Sequence, residues 1–143
     1  MILFVDDEIR HTSNFVLELE ARGYQISFQS DVDLALQFLE ENQNDIELMI
    51  LDIMMPPGKK FREVDTDEGL RTGVRFYERA REISPELPVI ILTNASDEEL
   101  EVQFQREANC WYFEKKHYLP YEIAQEVNRI LSPTEIMVEG EIL

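Results

Sequence analysis

The sequence predicts a doubly wound α/β domain, a parallel sheet of five strands with helices on both faces. Three observations carry that expectation. Five short apolar runs rich in β-branched or aromatic residues (2–5, 24–28, 46–51, 89–92 and 110–113) alternate with segments of helical period. Two of those runs end directly in aspartate, Asp6-Asp7 after the first and Asp52 after the third. The length, 143 residues, is that of one ordinary domain, enough to bury a full core without disulfides or a structural metal.

Taken in order, the first run is followed by Phe15, Leu19 and Arg22 at helical spacing, and Gly23 supplies a C-terminal stop. After the second run, Ser30 or Asp31 can cap a helix carrying Leu34, Ala35, Phe38 and Leu39. The third helix places Val74, Tyr77, Ala80 and Ile83 on one stripe and stops at Ser84-Pro85. The fourth, capped by Ser96 or Asp97, carries Leu100, Phe104 and Ala108; the fifth carries Ile123, Val127 and Ile130 or Leu131. Two stretches lie outside this economy: a Pro-, Gly- and charge-rich segment at 57–71, and a tail at 132–143 in which Pro133 blocks helix continuation.

Composition narrows the function. With 30 acidic against 13 basic residues and a formal charge of −17, the chain would be repelled by nucleic acid and by anionic membrane surfaces. Cys110 is the only cysteine, so no intramolecular disulfide can form, and it is expected in the core. The first polar cluster at Asp6 leaves no room for a signal peptide, and no apolar stretch is long enough to cross a bilayer; a cytoplasmic location is expected. His11 and His117 have no His or Cys cluster around them and are expected at the surface, His11 near the acidic rim.

In a doubly wound sheet the ligand site lies beyond the carboxyl ends of the strands. The residues found there are Asp6-Asp7-Glu8, Asp52, Thr93-Asn94 and Lys115-Lys116. Three carboxylates on one rim call for a cation, and a hard one such as Mg²⁺ takes oxygen ligands. With a hydroxyl and an ammonium beside them, they supply what phosphoryl transfer needs, Asp52 being placed to act as a nucleophile towards phosphorus.

These residues resemble the response-regulator receiver domain of two-component signalling. The motifs are VDDE at 5–8, LDIMMP at 51–56, ILTNA at 91–95 and YFEK at 112–115, with 45 residues from Asp7 to Asp52 and 22 from Thr93 to Lys115. The resemblance covers residues 1–131 and implies a flavodoxin-like sheet of order 2-1-3-4-5. It further implies that Asp52 accepts a phosphoryl group from the phosphohistidine of a sensor histidine kinase or histidine phosphotransfer protein. Asp7, Asp52 and the backbone carbonyl of Met54 would hold Mg²⁺, with Asp6 helping through water. Lys115 would pair with the acceptor carboxylate, Thr93 would supply a hydroxyl that moves towards the phosphoryl group, and Tyr112 would swing inward on activation. Such a protein phosphorylates and dephosphorylates itself but has no turnover substrate.

Four departures from the family pattern stand out. Lys116 replaces the usual proline after the lysine, and a trans bond is expected before it, since a non-proline cis bond costs about 3 kcal/mol. Asn94 replaces a smaller residue after Thr93 and is a candidate for gating the site. The glycine that opens the third helix is best matched to Gly73, about a dozen residues late. The extra loop carries Lys59, Lys60 and Arg62 and is expected to act as a lid or docking surface over the pocket, or else as a solvated loop without consequence.

The fourth departure is that no output module follows the fifth helix. Signalling through protein contacts is then expected, as a monomer or weak homodimer, while the tail is read as an edge strand, a partner contact or disorder. Asp65 to Gly69 has a passing likeness to a calcium loop and is taken as turn chemistry. The alternative function is a pseudo-receiver, an interaction module on the same fold that takes no phosphate. An aspartyl-phosphate phosphatase is disfavoured by Met54, which stands where such enzymes need a second acid.

Overall fold

The computed structural model describes residues 1–62 and 64–132. Element order is β1 (Ile2–Val5), α1 (Ile9–Ala21), β2 (Ile26–Gln29), α2 (Val32–Asn42), β3 (Leu48–Leu51), α3 (Thr72–Ile83), β4 (Val89–Thr93), α4 (Glu98–Gln105), β5 (Cys110–Glu114), a 3₁₀ turn (Lys115–His117) and α5 (Pro120–Leu131). All strand pairs are parallel, in the order β2-β1-β3-β4-β5. This is the predicted doubly wound sheet. Register aligns Val5 with Leu51, so the chain leaves both strands at one level and delivers Asp6, Asp7 and Asp52 to the same rim.

The two-residue period of the strands divides the core. Leu3, Val5, Met49, Leu51, Val89 and Ile91 face one side and pack with buried residues of α2, α3 and α4, among them Ala35, Leu39, Phe76, Ala80 and Phe104. Ile2, Phe4, Leu48, Ile50, Ile90 and Leu92 face the other, against Phe15 and Leu19 of α1 and Ile123 and Val127 of α5. Because β1, β3 and β4 are covered on both faces, they read as uninterrupted apolar runs.

Local chemistry fixes the helix ends. Asp31 caps α2 by accepting the Leu34 N–H at 3.0 Å, and Asp97 caps α4 by accepting the Leu100 N–H at 3.1 Å. Gly23 takes φ +94° after α1, and its N–H closes on the Glu20 carbonyl. Tyr24 N–H bonds to Leu19 O in the same turn, so β2 starts at Ile26. Ile46 is buried among the α2–α3 residues, ahead of the ladder that begins at Leu48.

Some expected helix stripes are displaced. In α2 the buried set is Val32, Ala35, Leu36 and Leu39, and Leu34 points outward at 57% exposure. The spacing i, i+3, i+4, i+7 centres on Ala35 and Leu36, leaving Leu34 off the face. Helix α4 ends at Gln105, so Ala108 lies beyond it in an exposed turn. At the opposite end of the sheet from the aspartates, Arg81 donates to the Leu87, Ala108 and Asn109 carbonyls and to Tyr77 Oη, tying α3 to the entries of β4 and β5.

Segment 57–71 forms a loop pinned at both ends. At its start the Lys59 and Lys60 N–H groups donate to Asp33 at 2.7 and 2.8 Å. Near its close, Met55 N–H donates to Gly69 O, Thr72 Oγ1 donates to Met55 O, and Gly73 N–H donates to Ile53 O. Asp65 to Gly69 is a turn, as expected: Asp65 Oδ1 accepts the Asp67 N–H, and Thr66 Oγ1 accepts that of Gly69. The tail expectations at 133–143 lie outside the described residues.

Candidate functional site

The three strand-end aspartates converge. Ligand oxygens of Asp6, Asp7 and Asp52 all lie within 4.8 Å of one another. Asp6 is fully buried and both its oxygens are engaged, Oδ1 by the Glu8 N–H at 2.8 Å and Oδ2 by Lys115 Nζ at 2.5 Å. Asp52 Oδ1 accepts the Ile53 N–H at 2.7 Å, and Oδ2 lies 3.5 Å from Lys115 Nζ. Asp7 Oδ1 is buried and has no hydrogen-bond partner.

Burial governs the electrostatics. It pushes the Asp6 carboxyl up to about 6, with the Asp52 charge adding and the Lys115 bond opposing. Asp7 is raised by the same desolvation, reinforced by Asp52. One ammonium thus faces three carboxylates in a low-dielectric rim, and charge balance is incomplete without a further cation. An unpaired, buried Asp7 oxygen beside Asp52 fits a divalent ion that takes carboxylate oxygens.

Around this centre, Thr93 is fully buried and its Oγ1 accepts the Ala95 N–H at 3.2 Å. Tyr112 is buried, its ring 6.2 Å from that of Phe104, and its hydroxyl donates to the Ala95 carbonyl at 3.1 Å. Lys116, exposed, reaches across to Ser96 Oγ at 2.6 Å. No peptide bond among the described residues is cis, in keeping with the trans expectation before Lys116. Helix α4 is tied to the inserted loop by Arg71, whose guanidinium meets Asp97 at 3.1 Å.

The pocket mouth is lined by Asp7, Glu8, His11, Asp52, Met54, Asn94 and Lys115 together with Glu68, Gly69 and Leu70. Asn94 and Met54 therefore both line the pocket that holds Asp52. Lys59 and Lys60 are held at the start of α2 instead, and the loop meets the pocket through its closing turn. Nothing in the local sequence signals Glu68 and Leu70 as pocket residues; only the return of the chain onto Met55 brings them there. Lys115 lies 3.5 Å from the Asp52 carboxylate and also meets Asp6, more closely, at 2.5 Å.

The family model of the response regulator receiver domain matches residues 2–128. The chain belongs to this family. Among solved structures, a response regulator receiver domain protein from Clostridium thermocellum superposes with TM-score 0.74 at 24% identity, covering 95% of this chain and 97% of that one. The receiver domain of the hybrid histidine kinase CckA gives 0.68 at 27% identity, covering 92% and 98%. A CheX-CheY-BeF3-Mg²⁺ complex from Borrelia burgdorferi gives 0.72 at 18% identity, covering 91% and 87%. A search of curated protein sequences returned no significant match. No helix among the described residues is long and apolar enough to cross a membrane.

Proposed function

We propose that the protein is a phosphoacceptor receiver in which Asp52 takes a phosphoryl group from a phosphohistidine on a sensor kinase or histidine phosphotransfer protein. The observation that carries this is the convergence of Asp6, Asp7 and Asp52 within 4.8 Å, with one Asp7 oxygen unpaired and Lys115 alongside. Asp52 Oδ2 forms the bond to phosphorus as the phosphorus–nitrogen bond breaks and the imidazole leaves with the electron pair. Lys115, already within 3.5 Å of Oδ2, can follow the new charge onto the phosphoryl oxygens. Thr93 can turn its hydroxyl away from the Ala95 N–H towards them.

Mg²⁺ would be held by Asp7, Asp52 and the Met54 carbonyl, with Asp6 in support, and would neutralise the phosphoryl oxygens. The Borrelia burgdorferi complex, a chain of which shares this fold and which contains BeF3 and Mg²⁺, is consistent with a Mg²⁺-dependent reading. Signalling would follow from the β4–α4 loop, where Thr93 and Tyr112 both contact Ala95. Asn94 at the mouth would limit access of water or donor, and the loop bearing Lys59 and Lys60 would form one side of the partner surface. Output through protein contacts, in the cytoplasm and as a monomer or weak homodimer, completes the reading.

Incubation with Mg²⁺ and acetyl phosphate tests it: a mass gain of one phosphoryl group is expected, and none in Asp52→Asn. Failure of the wild type to gain mass from several donors would leave the pseudo-receiver as the better description.

A further inference from the structure

The inserted loop returns to the pocket through a turn with a forced backbone. Asp67 and Glu68 both adopt positive φ, +52° and +55°, a conformation that non-glycine residues rarely hold and that persists only where surroundings impose it. Here they do. Besides the two side-chain bonds from Asp65 and Thr66, the Thr66 carbonyl accepts the Arg71 N–H at 2.8 Å and the Asp67 carbonyl accepts the Leu70 N–H at 3.0 Å. Gly69, at φ +91°, lies so close to the Met55 carbonyl that a Cβ would stand 3.1 Å from its oxygen. The turn is thereby fixed against the segment that directly follows Asp52.

Its effect is to set Glu68 at the mouth of the pocket that holds Asp7, Asp52 and Lys115. The Glu68 carboxylate makes no hydrogen bond or ion pair with any described residue. Arg71, the cation closest to it in sequence, is engaged with Asp97. An uncompensated negative charge therefore faces whatever approaches Asp52, in a protein whose net charge is already −17.

We propose that Glu68 is a specificity-determining residue of the phosphorylation pocket, disfavouring small phosphodonors in proportion to their negative charge. This rests on Asp52 being the phosphoacceptor. In each case Asp52 Oδ2 forms the bond to phosphorus while the bond to the leaving group breaks. Acetate departs from acetyl phosphate with the electron pair; ammonia departs from phosphoramidate, whose nitrogen already carries the proton. At neutral pH acetyl phosphate carries one more negative charge than phosphoramidate, so a carboxylate at the mouth slows it more.

The test uses the full chain at saturating Mg²⁺, with initial rates of mass gain from each donor. In Glu68→Gln the ratio of the acetyl phosphate rate to the phosphoramidate rate should rise roughly three- to tenfold, the range for one charge pair in a partly solvated site. Added NaCl should shrink the difference from wild type by screening. Glu68→Gly, which also relaxes the left-handed turn, should match Glu68→Gln, and Glu68→Asp should keep the wild-type ratio within about twofold. An unchanged ratio in Glu68→Gln, or a change confined to Glu68→Gly, overturns the proposal while leaving the phosphoacceptor reading intact. A wild type that gains no mass from either donor overturns both.

Discussion

Replacing Gly73 by alanine sets two effects against each other at the first turn of α3. Alanine is the better helix former by about 1 kcal/mol, so on propensity alone the variant should be more stable. The added Cβ, however, would stand 2.1 Å from the Asp52 carbonyl oxygen and 2.5 Å from the Ile53 Cα. Both are main-chain atoms of the segment that carries the acceptor, and no side-chain rotation can move them. Overpacking against such neighbours costs about 1–3 kcal/mol, and weakening the 2.7 Å Gly73 N–H to Ile53 O bond costs about 1 kcal/mol more. The clash should win, with a net loss of about 1–3 kcal/mol. At a urea dependence of about 2 kcal/mol/M, the unfolding midpoint followed by far-UV circular dichroism should fall by roughly 0.5–1.5 M. Because relief requires the Asp52 backbone to move, phosphorylation should slow as well. Gly23→Ala is the control: its φ of +94° makes alanine strained, but nothing lies within 4 Å of the new Cβ. It should lose stability without slowing phosphorylation. A Gly73→Ala protein as stable as wild type would refute the clash account.

Three further outcomes are expected. Asp7→Asn removes the charge from a half-buried carboxylate whose Oδ1 is buried and unpaired, so in EDTA it should melt higher than wild type, by about 1–2 kcal/mol of stability, and lose the rise that Mg²⁺ gives the wild type; a preserved Mg²⁺ shift would remove Asp7 from the ligand set. Asp33→Ala frees the Lys59 and Lys60 amides and should speed tryptic cleavage at 59, 60 and 62 with global stability changed by no more than about 1 kcal/mol; unaltered cleavage would mean that the loop is held by its far end alone. Burial raises Cys110 to about 11 and Tyr77 and Tyr112 to about 12. For all three the folded state favours the protonated form, so their contribution is complete below pH 9 and is lost as pH rises from 9 to 12. Native protein at pH 8 should accordingly resist thiol reagents until urea unfolds it, and a Cys110 that reacts at the rate of a free thiol would contradict its burial.

Much of the architecture was legible because it is written in local chemistry. Strand runs, the caps at Asp31 and Asp97, the stop at Gly23 and the glycine at 73 that opens α3 depend on neighbours a few residues away. The candidate site was legible for a related reason: in a parallel sheet each strand delivers its next residue to the same rim, so Asp6, Asp7, Asp52, Thr93 and Lys115 could be placed together before any distance was known. The outward Leu34 was misplaced because two overlapping apolar spacings fit α2, and the choice between them depends on which face meets α3 and the sheet.

By itself the sequence determined the sheet, its companions and the identity of the residues at the strand ends. Tertiary structure decided how those residues share charge and what surrounds them. Lys115 stands between two buried carboxylates, 2.5 Å from Asp6 Oδ2 and 3.5 Å from Asp52 Oδ2, so its charge is shared and weighted towards Asp6. Glu68 and Leu70 meet the pocket, and Lys59 and Lys60 do not, because the loop closes on the Met55 backbone after being held at its start by Asp33. Such contacts join segments distant along the chain, and their geometry follows from how the whole fold packs.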